Sequence, residues 1–179
     1  MKSPMKTCWL ASLLAVIPTY VTAQTPSRSD PTIPIAYFDM SFAKPVTAAK
    51  IKTFHSHMDD EELDSLLGFD VDLNRDGKRD FIRVSGQRLC GTGGCQYQIF
   101  DGKSKKQVAS LFGGSVWIHP IKTHGWPLLS IYSHSSAGSG TYYMMMFDGK
   151  KYTITSSIFL YEKSLDDLFE KYKDLPKIK

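Results

Sequence analysis

The 179-residue chain lacks most of the local signatures that disclose an activity. It has no H-E-x-x-H, no G-x-S-x-G, no P-loop and no dinucleotide fingerprint, so none of those chemistries has a foothold in contiguous sequence. It has three cysteines, Cys8, Cys90 and Cys95, too few for a disulfide-dense miniprotein, and no C-x-x-C redox pair. No apolar run reaches the about 18 residues that a membrane-crossing helix takes. Charge of either sign is scarce in excess: the formal balance is +4, and 42% hydrophobic residues exclude a mainly disordered or collagen-like chain. The length suits a single domain.

What is present begins with an export pattern. Lys2 and Lys6 precede the uncharged run from Trp9 to Ile17, and Val21-Thr22-Ala23 supplies small residues where a secretory signal peptide is cleaved. A lipid-anchored protein would carry its cysteine after the apolar stretch, whereas Cys8 lies before it. Removing residues 1–23 from 179 leaves 156, starting at Gln24, and takes two lysines and no acid, so +4 becomes +2. That near-balance argues against a nucleic-acid partner. The expected compartment is periplasmic or secreted. There Cys90 and Cys95, separated by Gly91-Thr92-Gly93-Gly94, most simply form a disulfide; a nucleophilic cysteine is the sharper alternative.

Residues 24–40, rich in Pro, Ser and Thr at their start, read as an extended leader to a single β-rich domain over 41–179. Asp59-Asp60-Glu61-Glu62 followed by Leu63, Leu66 and Leu67 predicts a short helix that Gly68 stops. From Phe69 the apolar period becomes two. Strands are expected over Phe81–Ser85, Gln96–Phe100, Gln107–Phe112, Val116–Ile118, Leu128–Tyr132, Tyr142–Phe147 and Lys151–Ser156. A final helix is expected with Ser164 as its cap, Leu165, Leu168, Phe169, Tyr172 and Leu175 on one face, and Pro176 at its end.

Residues 81–103 align without gaps on residues 128–150, ending in Phe100-Asp101-Gly102-Lys103 and Phe147-Asp148-Gly149-Lys150. True repetition and two hairpins chosen by the same turn chemistry both account for this; either way the copies are expected to be equivalent. The fold class expected is mainly β (α+β): antiparallel hairpins in two blade-like repeats with a C-terminal helix. In the second copy Ser133–Thr141 reads as a long polar loop without the first copy's cysteine staple. In Tyr142-Tyr143-Met144-Met145-Met146 alternate residues enter the core, and the others need either the C-terminal helix or a partner as cover.

The strongest local motif is Asp72-Leu73-Asn74-Arg75-Asp76-Gly77-Lys78-Arg79-Asp80. Side-chain oxygens of Asp72, Asn74, Asp76 and Asp80, with the Lys78 carbonyl, fall at the spacing of a calcium wrap, and Gly77 permits the sharp turn; a solvated acidic turn is the plainer reading. Arg83 stands where an EF-hand has its bidentate Glu. The motif resembles the Asp-rich calcium loops of FG-GAP and related β-propeller repeats, which run into an apolar strand, here Phe81-Ile82-Arg83-Val84; the resemblance implies a structural calcium ion. The order of this loop, Leu89-Cys90-Gly91-Thr92-Gly93-Gly94-Cys95, Thr123-His124-Gly125-Trp126-Pro127-Leu128 and a last Phe-Asp-Gly-Lys turn also resembles a group of small exported bacterial proteins of undefined role. That group has T-N-G-W-x-D-L where this chain has His124 and Leu128 in place of the Asn and Asp.

His55-Ser56-His57 offers two zinc ligands and no third, and His134 beside Ser135 and Ser136 is adjacency rather than a triad. No catalytic residue is assigned. The expected function is an exported, non-enzymatic binding protein whose partner is a protein, with a cell-wall hydrolase, met by an inhibitor or immunity protein, as the first candidate. Its contact residues are Ser133, His134, Ser135, Ser136, Ser139, Tyr142 and Tyr143. An envelope hydrolase whose site assembles only in three dimensions, and a calcium-stabilised structural module, are the rivals.

Overall fold

Alternating apolar positions fold into strands wherever a turn lets neighbours pair, and that rule organises most of the chain. The computed structural model describes residues 32–54, 66–85 and 90–178. They form β1 (Ala36–Phe38), a 3-10 turn (Met40–Phe42), β2 (Lys44–Pro45), α1 (Ala48–Phe54), β3 (Leu67–Val71), β4 (Asp80–Val84), β5 (Cys95–Phe100) and β6 (Gln107–Gly113). There follow β7 (Val116–Thr123), β8 (Trp126–Ser136), β9 (Ser139–Phe147), β10 (Tyr152–Tyr161) and α2 (Lys163–Tyr172). No helix among them is long and apolar enough to cross a membrane.

The strands make two antiparallel five-stranded sheets, ordered β2-β3-β4-β5-β6 and β1-β7-β8-β9-β10. Ile82, Val84, Tyr97, Ile99 and Leu111 of the first share one core with Ile118, Leu129, Ile131, Met145 and Phe147 of the second. The sheets therefore pack face to face, and each large side chain so buried contributes about 1.5–3 kcal/mol. Their outer faces carry apolar patches too, Phe81 and Phe100 lying beside Arg83, Gln98 and Ser110 on the first sheet, and a helix packs on each patch. Phe54 of α1 stacks on Phe81 (5.0 Å) and lies against Phe100 (5.7 Å). Leu165 and Tyr172 of α2 bury Trp117, Tyr132, Tyr142 and Leu160, with Leu168 at the margin.

Four expectations are corrected. The leader over 24–40 joins the fold from Ala36: β1 pairs with β7 and Phe38 is fully buried. The helix expected over Asp59–Leu67 falls largely outside the described residues, but Leu67 and Gly68 lie in β3, so Gly68 is a strand residue rather than a helix stop. Ser164 is not a cap but lies inside α2, its Oγ accepting from the Tyr161 amide and donating to the Tyr161 carbonyl. The two copies are not equivalent residue for residue. Ile82 faces Ile99, yet Leu129 faces Met145 rather than Met146, the equivalent of Ile99. The β8–β9 pairing shifts by one residue between His134 and Ser136, so the gap-free alignment is one out along the rest of the hairpin, and a slip of one reverses every facing on β9. Phe100 thus faces α1, while Phe147 packs inward on Trp126 and Tyr152.

The His124-Gly125-Trp126 stretch acquires a physical role here. Thr123 pairs with Trp126, leaving His124 (φ 49°) and Gly125 (φ 84°) as the turn between β7 and β8. Two central residues at positive φ are what a type I′ hairpin turn requires, and Asn-Gly is its commonest filling. His124→Asn is therefore expected to leave stability unchanged or raise it, whereas the β-branched His124→Val costs about 1–2 kcal/mol. Urea unfolding midpoints of the two variants check this.

Candidate functional site

The Asp-rich loop connects β3 to β4, and its own amides take up its oxygens. Asp72 accepts from the Asp76 and Gly77 amides (3.1 and 3.0 Å), Asn74 Oδ1 from Asp76 N (3.0 Å) and Asp76 from Lys78 N (2.8 Å). Lys122 Nζ donates to the Asn74 carbonyl, tying the loop to β7. Asp80, the ninth position, is turned inward and fully buried. Its Oδ2 accepts from Leu73 N (2.9 Å) and its Oδ1 from Gly102 N (2.8 Å). The structure thus brings Asp72, Asn74, Asp76 and Lys78 together on the exposed turn and sets Asp80 apart as a clamp between two loops. Among the described residues no three of His, Cys, Asp or Glu gather as metal ligands. A Cβ at Gly102 would sit 2.2 Å from the Arg79 carbonyl oxygen, so the clamp closes only on glycine. Burial pushes the Asp80 carboxyl from its ordinary 3.8 up to about 6, with the Asp101 and Asp72 charges adding to it and the two amide donors pulling back.

A second buried polar group was not foreseen from sequence. Beneath α2, His119 Nε2 lies 2.8 Å from Ser130 Oγ, to which the Tyr142 hydroxyl donates at 2.7 Å. All three are buried, and desolvation drives the His119 pKa down to about 4, against a hydrogen bond that the ring donates to the Thr32 backbone; Lys171 lowers it further. A Ser–His contact does nucleophilic chemistry only where substrate reaches the hydroxyl, so this one holds α2's partners in place. The even facing of positions 117, 119 and 130 was the available signal, but periodicity does not say which outward polar residues meet.

Cys90 and Cys95 are joined as a disulfide with Cα atoms 4.3 Å apart. The loop they close docks on the second sheet through His134 N to Gly93 O, and Gly114 N donates to Tyr132 O close by. The expected free loop over Ser133–Thr141 is instead paired hairpin: Ser133 faces Thr141, His134 faces Gly140 and Ser136 faces Ser139. Of the proposed contact residues, Tyr142 is under α2 and does not reach a partner. His134 Nδ1 and the Tyr132 hydroxyl are hydrogen-bonded at 3.2 Å; Ser136 and Ser139 bond each other across the hairpin, next to exposed Ser135.

Ser133 and Tyr143 do meet a site. They line an open groove of about 700 Å³ between β6 and the inner side of β9 and β10. Its walls are apolar: Leu111, Phe112, Ile131, Met145 and Ile154. Phe112 is 49% and Ile154 62% exposed, a wasteful arrangement for a surface facing only water. Ser110, Gln107 and Lys151 supply polar positions. A second hollow of about 480 Å³ beside α1 holds Lys50, which is ion-paired with Asp70. His55, His57 and Asp59–Glu62 lie outside the described residues. No protein-family model, no curated protein and no solved structure matches this chain.

The two buried titrating groups pull stability in opposite directions. Between pH 4 and 6.5 the unfolded chain protonates His119 and the native one does not, so this group adds stability as pH rises. Between pH 3.8 and 6 the native state keeps a proton on Asp80 that the unfolded state has lost, so this group removes stability as pH rises. Asp80→Asn is expected to leave a steeper loss toward acid than wild type, and His119→Gln the reverse, each slope differing by up to about 1.4 kcal/mol per pH unit. Urea unfolding at several pH values between 4 and 7 checks this; parallel profiles for all three proteins would reject the assignment.

Proposed function

We propose that this chain is an exported, non-enzymatic binding protein that holds a segment of a partner protein in the groove between β6 and β9–β10. The observation that carries the reading is the apolar wall of Phe112, Tyr143, Met145 and Ile154 left open beside polar Ser110 and Ser133. Protein-binding sites concentrate their energy in such partly open aromatic and aliphatic anchors inside a polar rim. The basic start, apolar run and small-residue cleavage pattern of the first 23 residues support a periplasmic or secreted location, and the Cys90–Cys95 bridge is in keeping with it. In that compartment the partner we favour is a cell-wall hydrolase, with this protein as its inhibitor or immunity protein. The two sheets, each a four-strand meander with one added strand from residues 36–45, are read as two blade-like copies of one unit whose second hairpin has slipped in register.

The purified protein is expected to inhibit cell-wall hydrolysis by a periplasmic extract and to retain a hydrolase on an affinity column. Phe112→Lys places a charge in the groove without disturbing the core and is expected to weaken both by about tenfold or more. Equal inhibition by wild type and variant, or none by either, would remove the basis of the reading.

Calcium belongs to the proposal as a structural ion on the exposed turn. Asp72, Asn74 and Asp76 each accept loop amides on the exposed turn and retain acceptor capacity, and the Lys78 carbonyl adds a fourth oxygen. Asp80 serves there as anchor rather than ligand. Titration calorimetry is expected to give a calcium-binding heat in wild type that Asp76→Ala abolishes. Identical heats in the two proteins, or none, would reject the ion.

A further inference from the structure

The outer edges of the two sheets are treated unequally. A sheet edge presents unpaired amides and carbonyls, and folded proteins blunt such edges with short strands, proline, lysine or a covering segment. β1 is three residues long and is covered by the C-terminal tail, with Tyr37 N donating to Pro176 O and Ile178 N to Tyr37 O. β2 has two residues, Lys44 and Pro45. β6 follows Lys103, Lys105 and Lys106 and runs along the groove wall. Among the described residues β10 has none of these protections, and one irregularity in its pairing with β9, between Ile154 and Ser156, is all that interrupts it. It is ten residues long, contains no charge, proline or glycine, and pairs on one side only, with β9. Ile154, Ile158, Phe159 and Tyr161 along it are 57–62% exposed.

From this edge we infer that the protein forms a two-fold dimer in which β10 pairs antiparallel with β10 of a second copy, joining two five-stranded sheets into one of ten. The charges at the strand's ends select this occupant and this direction. Exposed Lys150 and Lys151, after Asp148, immediately precede β10, and exposed Glu162 immediately follows it; beyond it Lys163 is paired with Asp167, and exposed Asp166 keeps that end net negative. Antiparallel self-pairing sets the basic end of each strand against the acidic end of the other, whereas parallel pairing sets like against like. The uncharged stretch between the ends then meets its own kind. Ile158 lies on the α2 side of the sheet, opposite Tyr142, and Phe159 on the groove side, opposite Thr141, so the pairing covers apolar side chains on both faces. Ile158 is not part of the groove wall, so dimerisation and partner binding fail separately: Phe112→Lys tests the groove and leaves the edge intact.

Sedimentation of the purified protein over a dilution series, together with hydrogen exchange at the two ends of that series, tests the dimer. The expected result is a mass that doubles with concentration and β10 amides that gain protection as it does so. Ile158→Lys is expected to weaken association by about tenfold or more with an unchanged circular dichroism spectrum. Glu162→Lys should weaken it too, and Lys151→Glu with Glu162→Lys should restore it. A monomer at every concentration overturns the inference. So does a dimer that leaves β10 amides unprotected, or β10 protection that arises only when a foreign protein is added; the exchange measurement on wild type decides even if a variant fails to fold.

Discussion

Each sheet is apolar on its inner face and carries an apolar patch on its outer one, and that constraint shapes much of the architecture. A sheet with one wet face needs a single covering layer, whereas one with two apolar faces needs two. The inner faces cover each other through Ile82, Ile99, Leu129 and Ile131, and the outer faces require α1 and α2. Among the described residues, an unpaired strand edge and the gap between the sheets stay open to other molecules. The groove and β10 are those places. A polar loop that packs its glycines on a neighbouring hairpin, as the stapled loop does at His134, is part of the joinery between layers.

Polar groups inside this sandwich are few and each has a mechanical task. Asp80 links the β3–β4 loop to the β5–β6 turn through two amide bonds, in a place where a carboxylate is expensive to keep charged. His119, Ser130 and Tyr142 do the same between β7, β8 and β9 under α2. Asp80 satisfies two loop amides, whereas His119, Ser130 and Tyr142 satisfy one another's side chains, and an apolar replacement in either place would strand a partner.

The strands from Asp80 onward were legible because alternation and Asp-Gly or Gly-rich turns say the same thing at every step. The C-terminal helix was legible for the same reason, through the spacing of Leu165, Leu168, Phe169 and Tyr172. Legibility failed where partners are distant in sequence. β1 owes its existence to β7, some eighty residues away (Phe38 opposite Val116), and nothing local in its three residues announces a strand. Asp80 matches a ligand spacing, but whether its carboxylate turns out to an ion or in to Gly102 is decided by the fold. The polarity of Ser133–Thr141 reads as loop, yet those residues pair because the flanking strands carry the ladder through them. The groove itself is assembled from four strands, and only Ser133 and Tyr143 were named for it beforehand.

The tail that lies along β1 has a bearing on when the fold can be completed. Tyr37 bridges in parallel to Lys177, so the first described strand and the last residues of the chain hold each other. A contact spanning nearly the whole domain has a high loop-closure cost and forms late. Until residues 176–178 have docked, β1 lacks its cover, so the edge of the second sheet is closed by a segment some 140 residues away in sequence rather than by anything near β1.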